Sequence, residues 1–226
     1  NFALILNQFS SMLKKSLFAF LLCLISGIAF AQLGGKYAYE FLELPFSTRT
    51  IALGSNNVPI FDKELGLAIN NPSLLNPQMS NNLCLFYSDY LTDVNYGSAA
   101  YAKTFKGNYT GMAAINYLNY GKFIKTDEFG NVIGSFKAAD YSLNVSASKE
   151  IYKRIIAGAT FKLIYSSLES YTSVGTAVDF AVSYHDSSAL FTTTLAVNNL
   201  GFQIKPYSQG NYEPVPLDIQ LGFSKK

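Results

Sequence analysis

The chain has 226 residues, a formal net charge of +2 at neutral pH and only 14% charged residues, against about 25% in ordinary soluble domains. Aromatic residues make up 15% of it, with 16 Tyr, 18 Phe and no Trp. A charge so close to neutral, with no basic stripe, argues against a nucleic-acid partner. Abundant Tyr and Phe with few charges favour contact with outer-membrane lipid, although the core of a β-sandwich would also use them.

The first 31 residues have the pattern of an export signal with extra residues before it. Two lysines follow Met12, then an apolar run from Leu17 to Ile28 and the small-residue cleavage site Ala29-Phe30-Ala31. We interpret residues 12–31 as a signal peptide that is cleaved off, and residues 1–11 as mistranslated upstream sequence. An uncleaved helical anchor is the alternative, but the apolar run is shorter than the roughly 20 residues that a span requires.

Residues 32–81 are rich in Gly, Asn and Pro and contain no long alternating run. Elements such as Asn70-Asn71-Pro72 and Asn76-Pro77 interrupt regular structure. The composition permits one or two short helices, at Tyr39–Leu44 or Thr48–Leu53. Since irregular backbone cannot face lipid, we predict an N-terminal plug segment that fills the interior of a barrel.

From residue 82 onward, apolar and small polar residues alternate with the period of a β-strand. The alternation predicts about eight strands, several near the 9–11 residues that cross a membrane. Their approximate cores are Leu83–Tyr87, Val94–Phe105, Tyr109–Tyr120, Ala138–Lys149, Ile155–Ser166, Val174–His185, Leu190–Asn198 and Leu217–Ser224. We therefore predict an all-β fold, in which residues 82–226 form a transmembrane antiparallel β-barrel.

The predicted connections also fit a barrel. Residues 106–108, 150–153 and 186–188 are short turns, whereas residues 121–137 and 201–216 are long and polar. Outer-membrane barrels have short turns at one rim and longer loops at the other.

Charged residues share the faces of the predicted strands with small residues. Lys162, Asp179 and Asp218 all fall on such faces, which favours a wet interior over a dry core. A soluble periplasmic β-sandwich remains the alternative fold.

Catalytic motifs are present only by coincidence of spacing. Ser146-Ala147-Ser148-Lys149 matches the S-x-x-K of penicillin-recognising enzymes, but in a strand it sends Ser146 and Lys149 to opposite faces. The single histidine, His185, ends a strand beside Asp186 and has no second histidine for a metal site. We therefore expect a non-enzymatic protein without catalytic, cofactor-binding or metal-binding residues.

Several short motifs in a fixed order resemble the PorV/FadL-like outer-membrane barrels of the type IX secretion system in Bacteroidota. They cover nearly the whole predicted mature chain. The matching elements are Phe41-Leu42-Glu43-Leu44-Pro45, Ser47-Thr48-Arg49, Ala52-Leu53-Gly54, Asn71-Pro72-Ser73-Leu74-Leu75-Asn76-Pro77, Asn95-Tyr96-Gly97, Tyr117–Phe123 and Ile164–Tyr171.

The resemblance implies a non-enzymatic barrel that anchors a cargo-processing complex at the cell surface. The implied partners are a PorV-like barrel, a PorU-like sortase and a PorZ-like surface protein. A FadL-like channel for hydrophobic small molecules is the alternative function. Barrels of this group have more strands than the eight predicted here, so we interpret the chain as a truncated reading frame with an incomplete barrel.

Overall fold

The computed structural model describes residue 35 and residues 37–55 and 59–225. The predicted signal peptide and the residues before it lie outside the described residues. Tyr37–Lys226 forms one compact unit. In the described part of the chain, no helix combines the length and the apolar character needed to cross a membrane.

The fold is all-β, as predicted. The described residues contain eight strands in one antiparallel sheet, arranged in sequence order with β1 and β8 as its edges. The strands are β1 (Leu83–Leu91), β2 (Val94–Phe105), β3 (Tyr109–Thr126), β4 (Val132–Tyr152), β5 (Ile155–Leu168), β6 (Tyr171–Asp186), β7 (Phe191–Lys205) and β8 (Asp218–Lys225).

Short helical turns precede the sheet. They are the 3-10 turns Glu40–Glu43, Leu65–Ala68, Pro72–Leu74 and Pro77–Met79, and one α-helix, α1, at Thr48–Ala52. Both segments that were predicted as possible short helices are therefore helical. The segment from residue 37 to residue 81 is called the N-terminal segment below.

The repeated Asn-Pro pair explains two of these turns. Asn71 accepts a hydrogen bond at its side-chain oxygen from the Ser73 amide at 3.0 Å, and Asn76 does the same from the Gln78 amide at 3.0 Å. The following proline occupies the first position of each turn, where its missing N–H costs nothing. Asn-Pro is thus a local signal for a capped turn.

The prediction of a long loop at residues 121–137 is wrong. Strands β3 and β4 continue as a two-stranded hairpin, and only residues 127–131 connect them. Phe123 and Phe136 lie opposite each other and stack with ring centroids 5.0 Å apart, which stabilises the paired strands. Gly121, with φ of 83°, lies at a register shift in the pairing. Residues 120–137 are called the hairpin extension below.

The faces of the sheet are inverted relative to a soluble protein. Along β4, Leu143 and Val145 are 51% and 55% exposed, whereas Asn144 and Ser146 between them are 2% exposed each. The same alternation of exposed apolar and buried small polar side chains continues in β5 and β6. The sheet therefore has an apolar outer face and a polar buried face, as the alternation predicted.

The N-terminal segment covers the buried face. Its side chains Phe41, Phe46 and Leu75 belong to one apolar cluster with sheet residues that include Tyr96 and Ile164. Polar contacts also join the N-terminal segment to the sheet: the Ser73 hydroxyl lies 2.6 Å from the Ser183 hydroxyl. The N-terminal segment therefore packs against the sheet through both apolar and polar contacts.

One glycine allows this segment to approach the sheet. A Cβ on Gly158 of β5 would lie 2.4 Å from the Pro72 carbonyl carbon and 2.6 Å from the Ser73 nitrogen. We expect Gly158→Val to displace the Asn-Pro turn, because backbone atoms cannot yield as a flexible side chain can. Limited proteolysis of the folded protein should then cut within residues 37–81.

Gly134→Val is the matched control, since no atom lies within 4 Å of a Cβ at that strand position. Equal protease resistance of the two variants would contradict the close packing of the turn on β5.

Candidate functional site

A buried ion pair lies on the polar face of the sheet. The Lys162 ammonium is 2.8 Å from the Asp179 carboxylate and donates to the side-chain oxygen of Asn199 at 2.7 Å. The other Asp179 oxygen accepts from the Asn199 amide at 2.8 Å. Asn199, at φ of 60°, also donates to the Pro216 carbonyl at 3.1 Å. Lys162 and Asp179 both lie on the buried face, as predicted, and their contact connects β5 and β6 to the connection before β8.

Residues 206–217, which follow β7, fold back onto the N-terminal segment. The Ala38 amide donates to the Pro214 carbonyl at 2.9 Å, and Val215 is buried in the apolar cluster. The Tyr207 hydroxyl donates to Ser166 at 2.6 Å. Much of the predicted second long loop, 201–216, is therefore either strand or internal packing rather than a projecting connection.

The hydroxyls at this junction keep their protons. Burial raises the pKa of Tyr39, whose hydroxyl lies 2.5 Å from that of Ser173. Burial also raises the pKa of Tyr207 to about 12. Both side chains act as neutral hydrogen-bonding groups that join the N-terminal segment and the 206–217 connection to the sheet.

The hairpin extension has the opposite character, because its apolar side chains are exposed. Phe129 is 88% exposed, and Ile124, Val132 and Ile133 are also exposed. Strand β5 pairs with β4 only as far as Ala138, and β2 pairs with β3 only as far as Asn119. Apart from the Lys137 carbonyl, which accepts from the Glu169 amide at 3.3 Å, the strand pairing leaves both edges of the extension open in the described residues, which suits contact with a partner.

The tip of the extension is nevertheless well ordered locally. The Asp127 carboxylate accepts from the backbone amides of Phe129 and Asn131 and from the Asn131 side chain, at 2.8–2.9 Å. The Asn131 side-chain bond is the largest cause that lowers the pKa of Asp127. Gly130 supplies the positive φ of 84° that the turn requires.

A row of tyrosines crosses the outer face next to the extension. Tyr117, Tyr141 and Tyr165 are direct neighbours in the pairing of β3, β4 and β5. The Tyr117 ring also covers Gly97 of β2, where a Cβ would lie 2.8 Å from it. A groove of about 470 Å³ opens at this row and is lined by Tyr117, Asn119, Lys137, Ala138, Ala139, Tyr141, Tyr165 and Ser167.

The structure separates the residues of the catalytic motifs. Ser146 is buried and lies 2.8 Å from the Thr160 hydroxyl, whereas Lys149 lies over the Tyr109 ring at 4.1 Å on the outer face. His185, at the end of β6, stacks on Phe61 at 4.0 Å. Within the described ranges, no three His, Cys, Asp or Glu side chains form a group that could hold a metal ion.

Sequence reasoning placed Lys162 and Asp179 on the buried face but missed Asp140, which is also buried there. It also missed the two features of the outer surface. The extension was missed because its polar composition resembles a loop, although Phe123, Ile124 and Ile133 offered a β signal. The tyrosine row could not be read from sequence, because it depends on the register between three strands.

A scan against protein-family models finds no match to the chain. A search of curated proteins likewise finds no significant match.

Proposed function

We propose that the chain is an outer-membrane protein of the β-barrel class, whose outer face contacts lipid. The inverted sheet is the observation that carries this proposal. In water, an exposed apolar face of this extent is an aggregation hazard, whereas lipid removes that cost. A buried face of Ser, Thr, Asn and Lys is what the interior of such proteins contains.

The dimensions of the apolar face support this environment. On β6 the outward side chains from Val174 to Tyr184 span ten residue steps, or about 34 Å along the strand. A strand tilted by about 45° projects this length onto roughly 24 Å, close to the ~25 Å apolar band of outer-membrane barrels.

The two ends of the sheet differ in a way that favours one orientation. Residues 106–108, 153–154 and 187–190 make short turns at one end. The other end carries the hairpin extension and residues 206–217, together with the two-residue turns 92–93 and 169–170. Since periplasmic turns are short and extracellular loops longer, the extension faces the cell exterior in this proposal.

Within this class, we propose a non-enzymatic, PorQ-like component of the type IX secretion system that anchors the cargo-processing complex. The ordered motifs of the sequence support this role, and the hairpin extension offers the partner surface. Its exposed apolar side chains and unpaired strand edges suit a PorV-like barrel, a PorU-like sortase or a PorZ-like surface protein. A FadL-like channel has less support, because the buried face is polar and is covered by the N-terminal segment.

Replacing the exposed apolar residues of the extension should release cargo from the cell surface. We expect the triple variant Phe129→Ser, Val132→Ser and Ile133→Ser, made in the full-length gene, to lose partner binding because these side chains are exposed in the isolated chain. The measurement compares cargo on the cell surface with cargo in the medium, together with co-purification of the partner barrel.

The matched controls change polar residues that sequence motifs single out. Lys149→Ala and His185→Ala should leave cargo attachment intact. If these controls abolish attachment while the triple variant has no effect, the anchoring role is wrong. A chain that alkaline carbonate releases from membranes would reject the membrane assignment itself.

A further inference from the structure

Two lysines are paired across β3 and β4 beyond the tyrosine row. Lys122 of β3 and Lys137 of β4 are paired residues on the outer face, and Lys137 lies two residues beyond Ala139 and four beyond Tyr141 along β4. Both side chains are exposed. No ion pair joins either ammonium to a carboxylate among the described residues.

Like charges directly opposite each other destabilise a strand pair. The neighbouring lysine of the extension, Lys125, is neutralised by Glu169 at 2.6 Å. Lys122 and Lys137 therefore form an uncompensated pair of positive charges, and a bound anion would remove their repulsion.

The surroundings indicate what kind of anion fits. Lys137 lines the 470 Å³ groove together with Asn119, Ser167 and the three tyrosines of the row. Below the row, the outer face is apolar, with Leu143 and Leu163 exposed. A ligand in this groove would meet positive charge and hydrogen-bonding groups at one end and an apolar wall at the other.

We propose that this groove binds the phosphate-bearing headgroup of an outer-leaflet glycolipid, with its acyl chains lying along the apolar face. The inference rests on the membrane location proposed above and adds a specific lipid site to it. Lys122 and Lys137 hold the phosphate, since ammonium groups bind phosphate as point charges. The tyrosine rings pack against the sugar and the upper acyl carbons, as aromatic side chains do at a membrane interface.

The test measures lipid binding to the full chain in detergent micelles by native mass spectrometry. The probes are bisphosphorylated lipid A, the same lipid after removal of both phosphates, and inorganic phosphate. We expect the phosphorylated lipid to bind more tightly than its dephosphorylated form. Lys122→Gln with Lys137→Gln should weaken its binding by about tenfold or more, since each lysine near an anionic headgroup contributes.

Two variants keep the interpretation specific. Lys103→Gln removes an exposed lysine of the outer face that lies at the end of β2 far from the groove. This variant should bind both lipids as the unchanged protein does. Lys122→Arg with Lys137→Arg retains both charges and should retain the preference for the phosphorylated lipid. Heat-modifiable migration confirms that each variant is folded.

Equal binding of the two lipids, or an unchanged preference in the double Gln variant, would overturn the inference. Inorganic phosphate that displaces the lipid at equal concentration would overturn the assignment to a lipid. If the chain stays in carbonate-washed membranes and attaches cargo but shows no lipid preference, only the lipid site is rejected. If carbonate releases the chain from membranes, both the membrane location and the lipid site are rejected.

Discussion

Ile115→Arg should prevent stable insertion of the folded chain, whereas Ile124→Arg should be tolerated. Both isoleucines lie on the outer face of β3 and both are exposed, at 48% and 68%. Ile115 lies within the apolar face, opposite Leu143, whereas Ile124 lies in the hairpin extension, beyond the tyrosine row. An arginine near the middle of a bilayer costs about 2–4 kcal/mol on a lipid-facing strand, and little near the interface.

The measurement is urea unfolding of the full-length protein in liposomes, with heat-modifiable migration as a second readout. The pair is informative because water would make the two substitutions equivalent: each would replace an exposed apolar side chain with a charged one. Equal stability of the two variants would reject a lipid-facing outer surface and revive the β-sandwich alternative.

Lys162→Met should destabilise the fold by about 3–5 kcal/mol, because it leaves the Asp179 carboxylate buried without its cation. The side chains of Lys162 and Asp179 are only 9% and 1% exposed. Unfolding in urea measures the loss of free energy. Faster proteolysis within residues 206–217 should accompany it, because Asn199 connects Asp179 to the Pro216 carbonyl.

Two comparisons separate the buried charge from general packing. The double variant Lys162→Met with Asp179→Asn should recover most of the stability, because no isolated charge remains and the amide oxygen can still accept from Asn199. Lys125→Met, which breaks the exposed pair with Glu169, should have little effect on stability. A double variant as unstable as Lys162→Met would show that the charge is not the cause.

The two results bear on different parts of the proposal. The Ile pair tests what surrounds the sheet, whereas the Lys162 variants test how the polar face is held together. A polar face requires such compensation because each buried hydroxyl, amide or charge that lacks a partner costs free energy. Ser73 with Ser183 and Tyr39 with Ser173 meet the same requirement between the N-terminal segment and the sheet.

Local sequence by itself determined the strands, their faces and the capped turns. A period of two assigns each side chain to a face without knowledge of the neighbouring strand, so Ser146 and Leu143 could be placed on opposite faces in advance. The side chains of Asn71 and Asn76 each cap a turn through an amide only two residues further along the chain. The Asn-Pro pair is therefore also a local signal. The small polar face was visible for the same reason.

Register and long-range packing were decided only by the tertiary structure. The tyrosine row and the Lys122–Lys137 pair depend on which residues of β3, β4 and β5 become partners. Residues 122–126 pair as a strand in which Phe123 stacks on Phe136. Residues 206–217 turn inward, where Val215 packs into an apolar cluster. The place of Gly158 beneath Pro72 is likewise a contact between distant segments. Such contacts depend on the shape and charge of a remote partner, which local periodicity does not encode.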